Sequence, residues 1–142
     1  MTKSAFAWAL LAAIVWGCVP IIEKAGLSKA SPDLGLLIRS LGVIVGASIL
    51  LAVKFNALKS ELHLLTPKTF TLFILGGFLA SIVAQIFFYR ALKYGSASKV
   101  VPVGAIYPLI AFVLALLFLG EKFTLAKFIG VCLILVGVVL LK

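Results

Sequence analysis

Thr69 to Tyr89 reads TFTLFILGGFLASIVAQIFFY, 21 residues without a charge. At about 1.5 Å per residue a helix of that length spans about 30 Å, the thickness of a bilayer's hydrocarbon layer. An open strand is excluded, because lipid offers its backbone N–H and C=O groups no partners. Four further runs share the pattern on either side. Residues 5–22 and 100–119 are uncharged, 34–53 carries only Arg39, and 124–141 carries Lys127 in its first turn. Together they predict an all-α integral membrane protein, a bundle of five transmembrane helices forming one domain over residues 1–142. The connections are short, so consecutive helices are antiparallel neighbours, and no extramembrane segment is long enough to fold alone.

Composition points the same way. The chain is 64% hydrophobic and 12% charged, with a mean hydropathy of +1.30, outside the range of soluble domains. The net charge of +9 does not indicate nucleic-acid binding, because the basic residues sit singly at the edges of apolar runs and form no patch. That placement suits anchoring at phospholipid headgroups. Cys18 and Cys132 lie inside apolar runs and read as small hydrophobes. His63 stands alone in a polar loop, so neither a disulfide nor a metal site is expected. Residues 5–22 are long for a signal-peptide core and lack an A-x-A cleavage site, so they read as a retained span. No nucleophile–base pair, metal cluster or phosphate-cradling glycine loop suggests an enzyme, and no cofactor is expected.

Punctuation supports the boundaries. Ser31-Pro32-Asp33 supplies an N-cap, a proline at the first helical position and an acid near the positive dipole end. Thr66-Pro67 repeats the device, and Gly120 is a stop after Leu119.

Charge divides almost evenly between the two faces. The face bearing the N-terminus, side A, receives Lys3, Lys54, Lys59, Lys68, Lys122 and Lys127, six in all. Side B receives Lys24, Lys29, Arg39, Arg90, Lys93, Lys99 and Lys142, which is seven. Orientation follows the Lys/Arg difference between short loops, so this near-tie predicts insertion both ways up. A single orientation set by the free amino terminus or by folding order is the competing reading.

Trp16-Gly17, Pro32 with Arg39, and the stretch Gln85-Ile-Phe-Phe-Tyr-Arg-Ala-Leu-Lys-Tyr-Gly-Ser-Ala, followed by Tyr107-Pro108, Leu119-Gly120-Glu121-Lys122, Gly130 and Gly137, resemble a single repeat of the EamA-type transporters of the drug/metabolite transporter superfamily. The resemblance covers nearly the whole sequence, and it rests on the order and spacing of these elements together. Typical members carry ten spans in two inverted five-span repeats. The resemblance therefore implies that an inverted second copy supplies the other half, as an antiparallel, dual-topology homodimer. It implies a multi-pass protein of the cell membrane that carries a small metabolite or drug-like solute by alternating access. The competing function is a non-transporting membrane partner or a lipid-carrier flippase subunit.

Candidate substrate-binding residues follow from physical cost. Gln85 lies deep in its span, where an amide facing lipid is expensive. On helical spacing Ser81, Gln85 and Tyr89 share a face with Gly77. They either line a cavity or hold the bundle together by helix–helix hydrogen bonds. Pro108 leaves the Gly104 carbonyl without its usual donor beside Tyr107, and Pro20 does the same to the carbonyl of Trp16. Gly104, Pro108 and Pro20 are therefore hinge candidates and Tyr107 and Trp16 beside them substrate-binding candidates, with packing kinks as the alternative. Arg39, about 10 Å along its helix from Pro32, reaches either a cavity or side B by snorkelling. The stripes Gly42-x-x-x-Gly46 and Gly76-x-x-x-Ala80-x-x-x-Ala84 permit close helix approach. No acid lies deep in a span, and Glu23 is the only one able to reach inward. Facilitated diffusion or exchange is thus expected rather than carboxylate-dependent proton antiport, with an Arg, Gln and Tyr lining suited to a zwitterionic or anionic metabolite.

Overall fold

Side-chain caps start four of the helices. In the computed structural model, which describes residues 2–140, Thr2 accepts the Ala5 N–H at 3.2 Å and opens α1, Lys3–Leu27. Ser31 accepts the Leu34 N–H at 3.2 Å ahead of α2, Pro32–Leu62. Thr66 accepts the Thr69 N–H at 3.2 Å ahead of α3, Pro67–Phe78. A π-helical turn, Leu79–Val83, leads directly into α4, Ala84–Tyr94. The chain continues as α5, Ala97–Gly104, α6, Tyr107–Phe118, and α7, Leu125–Leu140, where Thr124 accepts the Lys127 N–H at 3.3 Å. Among the described residues all regular structure is helical.

Four helical stretches are long and apolar enough to cross a membrane: Lys3–Leu27, Pro32–Leu62, Pro67–Tyr94 and Ala97–Phe118. They contain the expected spans 5–22, 34–53 and 69–89 whole, and 100–119 to within a residue. The expected fifth span, 124–141, corresponds to α7, a shorter apolar helix of 16 residues. Its expected end at Leu141, like Lys142, lies outside the described residues.

The helices overrun the apolar runs, because backbone hydrogen bonding does not stop where hydrocarbon ends. α1 carries on five residues past Ile22, to Leu27, and takes Glu23 into the helix. α2 continues to Leu62, with non-helical angles at Lys54 (φ −110°, ψ 16°) interrupting it. The residues from Pro32 to Val53 already cover about 33 Å, so the last two turns extend past the hydrocarbon layer.

Two backbone irregularities fall within spans. α5 and α6 are separated by Ala105 and Ile106, with Pro108 in the first turn of α6. The break sits next to Gly104, whose carbonyl Pro108 cannot serve. α1, by contrast, runs through Pro20 as one helix. The π turn, in which the Ala84 N–H bonds to the Leu79 carbonyl five residues back, had no counterpart in the sequence reading. Ser81 lies within it, so the face shared by Ser81, Gln85 and Tyr89 departs from strict α spacing, whereas Gln85 and Tyr89 both lie in α4.

The chain divides into two compact units, one ending at Lys93 and the other beginning at Tyr94. In the first, the buried residues are Pro20, Leu27, Leu36, Tyr89 and Leu92. They belong to the side B ends of α1, α2 and α4, so this unit packs tightly at one end. Gly35 permits the approach: a Cβ there would stand 3.2 Å from both Leu27 Cδ2 and Tyr89 Cε2. Gly35→Val should lower stability by about 1–3 kcal/mol, the usual range for overpacking, read as a lower thermal midpoint of the detergent-solubilised protein. At Gly42, Gly46 and Gly76 a Cβ would meet nothing within 4 Å, so these stripes mediate no close approach within the described chain.

In the second unit Gly120 takes φ +64°, the left-handed conformation expected of its stop. Phe123 packs against Phe112 and Phe128 with ring centroids 6.2 and 5.9 Å apart, tying α6 to α7. Lys127 pairs with Glu121 at 2.9 Å, both half-exposed.

Candidate functional site

Glu23, Arg39 and Tyr89 meet in the first unit, one from each of α1, α2 and α4. The antiparallel pairing of α1 and α2 through the short loop 28–31 brings residues 23 and 39 to matching depth. The Tyr89 hydroxyl donates to Glu23 Oε1 at 2.7 Å, and Arg39 Nε lies 3.3 Å from the same oxygen. The Glu23 side chain is 10% exposed and that of Arg39 27%. A charge so far from water is held only by a partner of opposite sign and by hydrogen bonds, and Arg39 and Tyr89 supply both.

Part of the cluster's bonding capacity is unspent. Glu23 Oε2 and Arg39 Nη1 are buried without a hydrogen-bond partner, as is the carbonyl oxygen Oε1 of Gln85. Gln85 stands one helical turn before Tyr89 on the same face of α4. Buried polar atoms are normally satisfied, and each exception calls for an explanation, a ligand or ion bound there being one. Beside Glu23, Arg39 and Tyr89 lies a cleft of about 230 Å³, lined also by Gly26, Gly35 and Ile38. Its lining carries one carboxylate and one guanidinium, with the Gln85 amide one turn away along α4, an arrangement able to hold a small solute bearing both signs of charge.

Of the residues expected from sequence, Arg39 and Tyr89 line this cleft, and Gln85 carries one of the three unpartnered atoms. Ser81 is half-buried within the π turn. Trp16 is 66% exposed and is not among the cleft residues. Tyr107 belongs to the second unit, where it opens α6 at the helix break and is 61% exposed. Glu23 was noticed in the sequence as able to reach inward but was not placed among the binding residues, because the apolar run stops at Ile22. The opposite charges flanking one short hairpin, Glu23 and Arg39, were the available signal.

Helices of this length and apolar composition, carrying a paired polar cluster toward their side B ends, define a multi-pass membrane protein. The EamA-like transporter family model matches residues 3–142, and the chain belongs to that family. It is therefore a membrane transporter, acting on a small-molecule substrate in a lipid bilayer. An uncharacterized transporter from the cobO 3' region of a Sinorhizobium species is 32% identical over 142 residues, covering 99% of this chain and 98% of that protein. An uncharacterized protein of Methanocaldococcus jannaschii is 32% identical over 133 residues, covering 94% of this chain and 92% of its own. No solved structure matches the chain.

Proposed function

We propose that the protein carries a small zwitterionic or anionic metabolite by alternating access, as facilitated diffusion or exchange, with two copies inserted in opposite orientations. The observation that carries this reading is the trio of unpartnered buried atoms, Glu23 Oε2, Arg39 Nη1 and Gln85 Oε1. A guanidinium nitrogen recognises a carboxylate, and the two oxygens recognise an ammonium group. Glu23 already pairs with Arg39 as its counter-ion at 3.3 Å. This favours solute exchange over proton antiport.

The inverted second copy is supported by three facts. Basic residues divide six to seven between the faces. The Sinorhizobium relative has nearly the same length as this chain. The cleft of about 230 Å³ is smaller than the roughly 300–1,000 Å³ of ordinary ligand pockets, as suits one wall of a site completed by another protomer. In the second unit, Tyr107 at the α5–α6 break remains a binding candidate, with Gly104 and Pro108 as its hinge.

Counterflow of radiolabelled L-amino acids into liposomes containing only this chain tests the reading. Gln85→Ala should reduce counterflow about tenfold or more at unchanged expression, the loss expected when a bound polar group is left unpaired. Unchanged counterflow in both Gln85→Ala and Tyr107→Phe would remove the proposed site.

A further inference from the structure

Two lysines cross over between α1 and α4. Lys24, near the end of α1, donates through Nζ to the Leu92 carbonyl and, at 3.4 Å, to that of Lys93. Lys93, near the end of α4, donates through Nζ to the Leu27 carbonyl at 2.6 Å and to the Ala30 carbonyl at 2.9 Å. Lys24 thus lends a cation to the final carbonyls of α4, and Lys93 lends one to the last carbonyl of α1, that of Leu27, and to Ala30 in the loop that follows. The helix-end carbonyls are the acceptors a helix end leaves unsatisfied, and they carry the negative end of its dipole. Leu27 and Leu92, whose carbonyls accept these bonds, are 2% and 0% exposed. They are the most deeply buried side chains among the described residues.

This clasp adjoins the cleft. Leu27 and Ala30 line the cleft with Glu23 and Arg39, and Tyr89 lies one turn before Lys93 on α4. A solute leaving Glu23 and Arg39 toward side B moves toward the end of the unit where these lysines join α1 to α4. These bonds are charge-assisted, and both lysines lie beyond the ends of the apolar runs 5–22 and 69–89, where water can replace the carbonyls as acceptor. They are therefore strong enough to hold and cheap enough to release.

We propose that Lys24 and Lys93 form a reciprocal gate that shuts the side B end of the site, and that its release from the helix-end carbonyls opens the site to that face. The proposal rests on the transport reading, but its test does not use transport. In a Cys18→Ala, Cys132→Ala background, Leu27→Cys, whose carbonyl takes the Lys93 bond, reports opening of the clasp, and Leu36→Cys, buried on α2, reports loosening of the unit as a whole. Labelling by a polar maleimide is followed in nanodiscs, where both faces are accessible. Lys24→Met with Lys93→Met should speed labelling at residue 27 about tenfold, as expected for losing charge-assisted hydrogen bonds, and leave residue 36 unchanged. Lys24→Arg, which keeps a donor, should stay slow at both. Equal acceleration at both positions would show that the lysines staple the whole unit together, and no acceleration at either would show that they hold nothing shut; each result overturns the gate. Counterflow lost in a protein whose clasp labels as predicted would instead count against the transport site alone.

Discussion

Glu23→Gln should abolish solute counterflow and lower the thermal midpoint of the protein. The substitution keeps the size of the side chain and removes its charge, leaving the Arg39 guanidinium in the cleft without its counter-ion. Breaking a fully buried ion pair from one side costs about 3–5 kcal/mol. Here about 1–3 kcal/mol is expected, because 27% of the Arg39 side chain stays exposed and solvent screens part of the charge. Arg39→Gln should behave alike, stranding the carboxylate. With Glu23→Gln and Arg39→Gln together no charge is left uncompensated, so the double variant should be more stable than either single one. Its transport should stay absent, because both recognition groups are gone. Thermal midpoints and counterflow rates measured on the four proteins decide the matter. Additive losses of stability would mean that the two side chains act independently.

The sequence disclosed the spans because lipid imposes a length and a composition on them. Ser31-Pro32 and Thr66-Pro67 start helices where their capping chemistry requires, and Pro108 coincides with the break after Gly104. What escaped notice lay in backbone hydrogen bonding that hydropathy does not record. The π turn at Leu79–Val83 consists of Leu, Ala, Ser, Ile and Val, residues equally at home in an α-helix. The continuation of α2 to Leu62 follows from helix propensity beyond Val53, in a stretch too polar to count as span. The site was half legible. Arg39, Gln85 and Tyr89 were marked by the cost of placing polar groups in lipid, and two of them line the cleft while the third lies one turn away. Glu23 was discounted for sitting past the end of an apolar run, although only three-dimensional pairing with Arg39 and Tyr89 decides how a terminal carboxylate is used.

Biasing the charge balance should silence transport, and mixing opposite biases should restore it. Lys54→Ala, Lys59→Ala and Lys68→Ala leave side A with three basic residues against seven on side B, starting from six and seven. Lys29→Ala, Lys99→Ala and Lys142→Ala leave side B with four against six. By the positive-inside rule the first set fixes side B in the cytoplasm and the second fixes side A there. Each variant alone then lacks an inverted partner and should retain less than about a tenth of wild-type counterflow, whereas co-expression should recover about half or more. None of the six lysines belongs to the Glu23 cluster or to the Lys24–Lys93 clasp. Full activity from either variant alone would mean that the pathway does not need opposed copies.

The orientation of the wild-type chain tests the central claim most directly. One reporter active only inside the cell and another active only outside, each fused after Lys142 in separate experiments, should both give strong signals of comparable size. A signal from only one of them, at equal expression, would place every copy the same way up and contradict the inverted dimer.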